Sequence, residues 1–181
     1  MNEKPLAIIA AVIVIVATIS VAAYLTLNTD DGNEEGGNSE IRSILEDAGS
    51  LEFSLNYTDT DGLVSTHIFT AKNIGSPEMM LLAETTCNYG EPCYFALLMN
   101  GAEQKCWERH DDPEWVDDTD IFPDVLDAWT MIFQDLTSKL SGWNGGENYV
   151  YTDGVGIFNF YDIRLNPNLT DSMFEPLNIQ T

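Results

Sequence analysis

The chain has 181 residues and sets 30 Asp and Glu against 7 Lys and Arg, a formal net charge of -23. That length leaves room for about one domain once the ends are set aside, and the charge repels any partner held mainly through a polyanionic backbone, so nucleic acid is excluded as an expected partner. An acid excess of this size keeps a protein hydrated in a salty medium or repels its neighbours in a dilute one. The expectation drawn from it is a salt-adapted, archaeal host.

The first element in chain order is apolar. Residues 5–27, "PLAIIAAVIVIVATISVAAYLTL", carry no charged side chain after Pro5, and a helix of that length crosses a hydrocarbon layer of roughly 30 Å. Lys4 and the amino terminus precede it and five acids follow it in "NTDDGNEEGGNSE", so residues 1–27 are expected to form a transmembrane anchor with the remainder outside the cytoplasm, in a single-pass cell-membrane protein. The rival is a signal peptide cleaved after Ala23, since Val21 and Ala23 are small residues at the right spacing. Retention is preferred because apolar residues continue past that point. Residues 28–38 are rich in Gly, Asn and acids and read as a flexible acidic linker, leaving 39–181 as the extracytoplasmic domain.

Within that domain "SEIRSILEDAG" sets Ile41, Ile44, Leu45 and Ala48 at helical spacing before Gly49. From Leu51 to Arg109 the period becomes two. "LEFSLNY" alternates apolar with polar residues, "TDTDG" turns the chain, and "LVSTHIFTAK", "EMMLLAETTC", "CYFALLM" and "AEQKCWER" continue a meander of about five strands. Asn100-Gly101 between two apolar runs predicts a two-residue hairpin turn with positive φ at both positions. After the acidic loop "DDPEWVDDTD", the period returns to that of a helix over 121–142. Phe122, Val125, Leu126, Trp129, Ile132, Phe133, Leu136 and Leu140 form its stripe, with Asp120 as cap and Gly142 as stop. "NYVYT", "DG" and "VGIFNFYDIRL" predict a closing hairpin before a tail interrupted by two prolines, whose Met173, Phe174 and Leu177 are expected to fold back and seal one end of the apolar layer. The expected fold class is α+β, a curved antiparallel sheet forming an open half-barrel against one long amphipathic helix.

Chemistry is sparse. The acids of 111–120 offer oxygen ligands but fit no EF-hand spacing, so they read as solvated and no metal is expected. His67 lies in a strand, and the sequence contains no G-x-S-x-G elbow, no H-E-x-x-H and no Gly-rich phosphate loop. A thiol dyad of Cys106 with His110 and Asp111 would span too far along a strand end. No enzyme activity and no cofactor are therefore expected. Three cysteines in an exported domain leave one over. A disulfide between Cys87 and Cys93, which end and begin adjacent strands, is preferred. A diagonal bridge from Cys93 to Cys106 stays open, since one bulge would shift the register. Asn56 in "NYT" and Asn168 in "NLT" match the glycosylation acceptor pattern.

The remaining signal is apolar surface. Phe53, Leu55, Phe69, Leu81, Phe95, Leu97 and Phe160 from the sheet, with Trp129, Ile132, Phe133 and Leu136 from the helix, either fill a core or line a groove for an apolar ligand. The order of elements, with "LEFSLNYT", "YFALLMNGAEQKCWE" and above all "YDIRLNPNLTDSMFEPL", resembles the lipoprotein-sorting carriers (LolA-like proteins) over roughly 51–177. The resemblance implies a half-barrel that holds a lipid or lipid-modified peptide without chemistry. A tether, fewer strands, the cysteines and the acidic loop depart from it and fit a tethered lipid-binding or sensing role better than a shuttle. The first expectation is thus a membrane-anchored, non-enzymatic domain binding a lipid or other apolar ligand between sheet and helix. The alternative is a cell-surface adhesion or assembly module whose core is filled and whose acidic face or odd cysteine meets a protein partner.

Overall fold

The structure is a computed structural model that describes residues 47–89, 91–152, 154 and 156–176. The expected membrane anchor, the linker and the helix over 41–48 lie outside the described residues, apart from Asp47 and Ala48. Among the described residues no helix is long and apolar enough to cross a membrane.

Eight antiparallel strands form one unclosed sheet with a helix on one face, an α+β arrangement. In chain order they are β1 (Ser50–Asp59), β2 (Val64–Lys72), β3 (Met80–Tyr89), β4 (Glu91–Asn100), β5 (Lys105–His110), β6 (Val116–Asp117), then helix α1 (Phe122–Lys139), then β7 (Asn148–Thr152) and β8 (Gly156–Leu165). Their order across the sheet is β6-β5-β4-β3-β2-β1-β8-β7. The first hairpin turns at Gly62, whose φ is 79°, and the Asp59 carboxylate accepts from the amides of Asp61 and Leu63 at 2.9 Å. Such an Asx-type closure is what "TDTDG" is built for.

Alternation decides the two faces. Leu51, Phe53, Leu55 and Tyr57 of β1 stand in register with Ala71, Phe69, His67 and Ser65 of β2, and this row continues through Leu81 and Ala83 to Met99 and Leu97. These residues meet Phe122, Trp129, Ile132, Phe133 and Leu136 of α1 in one buried cluster. The helix enters from a 3-10 turn at Thr119–Ile121 rather than from a side-chain cap: its N-cap position is Ile121, which makes no capping hydrogen bond. Asp120 is therefore not the cap. Pro123 in the first turn gives up an amide that needs no intrahelical partner, so the start is tolerated without one.

The Asn100-Gly101 turn differs from expectation. Asn100 pairs with Lys105, so the loop holds four residues, and the left-handed position is Gln104 at φ 55°. Gly101 is needed for closeness instead. A Cβ there would lie 2.5 Å from the Met79 carbonyl oxygen and 2.6 Å from that of Pro77, while its amide donates to Met79 at 2.9 Å. The longer loop resets the register, so that Cys106 faces Met99 and His110 faces Phe95. Cys87 and Cys93 stand directly opposite one another, joined by a disulfide with Cα atoms 5.2 Å apart, which closes the diagonal alternative.

The tail also departs from expectation. Asn166 turns it off β8 at φ 52°, its amide donating to Ser50 at 2.9 Å and its side chain accepting from the Gly49 amide at 3.0 Å. It then crosses the face of the sheet away from α1. Phe174, fully buried, packs with Met80 and Leu98, flanked by Leu82, Trp107, Trp115 and Leu169, and Lys72 pairs with Asp171. The tail covers the outer face instead of sealing the layer under the helix; Met173 is 40% exposed, and Leu177 lies outside the described residues. Replacing Phe174 by Ala is expected to cost about 3–5 kcal/mol of unfolding free energy in denaturant titration, and a change under about 1 kcal/mol would show that the tail is not part of the core.

Candidate functional site

The eleven apolar residues read from the sequence as a ligand surface come together. Phe53 and Leu55 on β1, Phe69 on β2, Leu81 on β3, Phe95 and Leu97 on β4, Phe160 on β8, and Trp129, Ile132, Phe133 and Leu136 on α1 are all buried in one cluster. Their rings touch one another. Phe53 lies 4.9 Å from Phe69 and 5.8 Å from Phe160 by centroid, Phe133 stands edge-on to Phe53 at 6.3 Å and to Phe69 at 6.1 Å, and Trp129 meets Phe69 at 5.8 Å. These are the separations of packed aromatic pairs. The space between helix and sheet is thus occupied by the side chains that were to line it. A cavity of about 270 Å³ remains where α1 passes the start of β1, bordered by Ala48, Leu51, Ile74, Thr130, Phe133 and Thr137. Of the eleven, Phe133 alone borders it.

Polar groups inside the core form a second constellation that the sequence reading left as a lone strand histidine. His67 Nε2 lies 2.8 Å from Ser65 Oγ and Nδ1 lies 3.0 Å from Thr85 Oγ1, with the ring stacked on Phe69. A serine hydroxyl at that distance from an imidazole is the geometry of a nucleophile and its base. Yet Ser65 is 1% exposed and His67 5%, and a threonine stands where a carboxylate would orient the base. Burial lowers the His67 pKa from 6.5 to about 4, so the ring is neutral and its two nitrogens satisfy two hydroxyls. The trio fits the demand that buried polar atoms be paired.

Cys106, His110 and Asp111 do not assemble. The Cys106 thiol is buried and donates to the Asp118 carbonyl at 3.0 Å, and burial with the nearby Asp118 pushes its pKa up to about 12. That thiol is neither a ready nucleophile nor reachable by a second chain, so the odd cysteine is no docking point. His110 turns instead to Glu108 at 3.3 Å and to the Phe95 ring. Burial first, then the Asp118 charge, raises Glu108 while His110 opposes the shift.

Lys139, the base in the last turn of α1, is 6% exposed. Its ammonium bonds both oxygens of Asp135 at 2.7 and 2.8 Å and lies over the rings of Phe158 and Tyr151 at 5.3 and 5.7 Å. The (i, i+4) spacing of an acid and a base on the core-facing edge of the helix was the signal for it. On the outer face the Arg109 guanidinium is held between the rings of Tyr94 and Trp115, beside Glu84 at 3.6 Å. Asn56 is engaged there, accepting from Thr66 at 2.9 Å, whereas Asn168 in the tail is exposed.

At the other margin of the sheet, the loop after α1 stands away from β8 and leaves a groove of about 610 Å³ bordered by Trp143, Gly145, Glu147, Tyr161, Asp162 and Arg164. Among the described residues no cluster of His, Cys, Asp and Glu is arranged to hold a metal ion.

The fold and its surfaces define the class: an α+β domain with a helix across one face of an unclosed eight-stranded antiparallel sheet and a tail across the other. Comparison with protein-family models, with curated proteins and with solved structures finds no match to this chain.

The buried imidazole makes stability depend on pH. Because its folded pKa lies below its unfolded value, the unfolded chain binds the extra proton between pH 6.5 and about 4. The contribution is whole above pH 6.5 and is lost as pH falls through that window, by about 3 kcal/mol. Urea unfolding of the wild type and of His67→Gln from pH 7 to 4 is expected to show a steeper decline for the wild type. Parallel curves would remove His67 as the source.

Proposed function

We propose that the chain is a membrane-tethered, extracytoplasmic, non-enzymatic module that binds a protein partner through its surface, with a core complete in the absence of ligand. The observation that carries this reading is the mutual packing of Phe53, Phe69, Trp129, Phe133 and Phe160. An acyl chain placed between helix and sheet would have to displace these rings, and separating them would expose apolar surface worth roughly 1.5–3 kcal/mol for each large side chain. The cavity beside the start of β1, at about 270 Å³, falls below the roughly 300–1,000 Å³ of pockets that enclose small ligands. The tether rests on the uncharged run 6–27, and the Cys87–Cys93 bridge suits an oxidising compartment outside the cytoplasm.

The absence of catalysis is part of the proposal. The Ser65–His67 pair and Cys106 are the described groups closest to a nucleophile, and all three are buried. The resemblance to lipoprotein-sorting carriers supplies the rival reading, in which α1 lifts to admit a lipid.

The two are separated by ligand uptake. Segment 39–181, purified without detergent, is expected to carry no lipid in native mass spectrometry and to show no saturable uptake of a fluorescent fatty acid. One bound equivalent per chain, weakened by Phe133→Trp, would restore the carrier reading and overturn this one.

A further inference from the structure

The groove beside β8 has the form of a strand-addition site. β7 pairs with β8 only over Ile157–Tyr161. From Asp162 to Leu165, β8 has β1 on one side and, among the described residues, no strand on the other. Neighbouring groups of a strand turn their N–H and C=O to alternate sides, so part of this stretch faces the groove with no strand among the described residues to pair it. A bulge marks the place where pairing stops: Asp162 and Ile163 both stand opposite Phe53, and Asp162 is left-handed at φ 54°. Bulges aim a strand edge and end its ladder. The far wall is firm, because the buried Trp143 indole donates to the Gly146 carbonyl at 2.8 Å.

Charge selects the occupant. The groove's acids, Glu147 and Asp162, are exposed. Its base, Arg164, already pairs with Glu52 at 3.3 Å. The other described bases are also matched, Lys72 to Asp171, Lys105 to Glu103, Arg109 to Glu84 and Lys139 to Asp135. A second copy of the chain would bring a net charge of -23 against another -23, with its described bases already engaged.

We propose that this groove binds an extended, basic segment of a partner protein, which adds to β8 as a short strand over Asp162–Leu165 and sets a Lys or Arg against Glu147 and Asp162. Main-chain hydrogen bonds supply the affinity and the paired charges supply the choice of partner, as in other strand-addition sites. Four residues of strand span about 13 Å, so the recognised segment is short and the interaction is reversible. The inference rests on the reading that the module binds proteins and names the surface that does so.

The test uses the full-length chain in mild detergent and a fluorescein-labelled peptide of sequence Val-Lys-Val-Thr-Lys-Val. Fluorescence anisotropy is expected to report saturable one-to-one binding that weakens as salt is added. The double variant E147Q/D162N is expected to weaken it about tenfold; Asn tolerates the left-handed backbone at position 162, and an unchanged unfolding midpoint confirms an intact fold. Hydrogen exchange of 162–165 is expected to slow in the complex. The same peptide N-methylated at alternate amides keeps its charges and loses its donors, and equal binding by it would overturn strand addition in favour of charge attraction alone. Full binding by the double variant, or a peptide-free dimer that occludes 162–165, would overturn it as well. If no peptide binds, this surface assignment fails, while the wider reading is still judged by the fatty-acid titration.

Discussion

The pairing of β1 with β8 is the constraint on which the rest of the structure depends. It joins Ser50–Asp59 to Gly156–Leu165, so the chain that leaves the meander at β6 must travel to the opposite margin of the sheet before it can pair. Eight strands at about 4.8 Å spacing put those margins roughly 34 Å apart. The 18 residues of α1 cover roughly 27 Å of that distance, and the 3-10 turns at its two ends help to make up the remainder. The helix therefore has to cross the sheet, and the stripe that it lays down has to be apolar along its length. Long-range pairing of this kind forms only after a large loop has closed, so helix and sheet support one another instead of forming independently.

That crossing explains how the core is filled. With α1 laid over β1 and β2, Phe133 reaches both Phe53 and Phe69, and Trp129 packs on Phe69. The polar residues caught beneath are matched locally. Ser65, His67 and Thr85 satisfy one another, and Lys139 is neutralised one helical turn away by Asp135. A buried pair of this kind adds little net stability, since desolvation opposes the attraction, but removal of either partner would strand a charge. What ties this end of the helix to the sheet is the Lys139 ammonium lying over the rings of Phe158 and Tyr151.

The faces and the helix were legible because burial writes a period into the sequence. Leu51, Phe53, Leu55 and Tyr57 alternate, the stripe of 122–140 repeats with the helical period, and strand ends able to stand opposite favour Cys87–Cys93 over the diagonal bridge. What could not be read depended on contacts distant in sequence. The Asn100-Gly101 pair has the local chemistry of a tight turn, but Gly101 answers to the carbonyls of Pro77 and Met79, which no local pattern contains. The two-residue strand β6 inside the acidic loop is too short to show a period. The tail's destination was hinted at by "MMLLA", where β3 is apolar on consecutive residues and so has two faces to cover. Leu82 and Leu98 on the outer face make that signal concrete. The candidate site divides the same way: its apolar members were legible, whereas their mutual packing, the Ser65–His67–Thr85 trio and the groove beside Asp162 are products of register.

The scarcity of bases gives the surface its character. Lys72, Lys105, Arg109, Lys139 and Arg164 each have a carboxylate within reach, so the positive charge of the described residues is spent inside the chain. The unmatched acids then form a field of one sign, and salt decides how far it extends: about 10 Å at 0.1 M and about 3 Å at 1 M. In concentrated salt the field reaches little beyond contact, and recognition falls to contacts shorter than the screening length. A groove with two carboxylates beside an open strand edge suits that regime, because its charges act at contact and its main-chain donors and acceptors are indifferent to ionic strength. On the proposed reading, the sheet edge and the acid surplus act together, charge filtering partners and the backbone holding them.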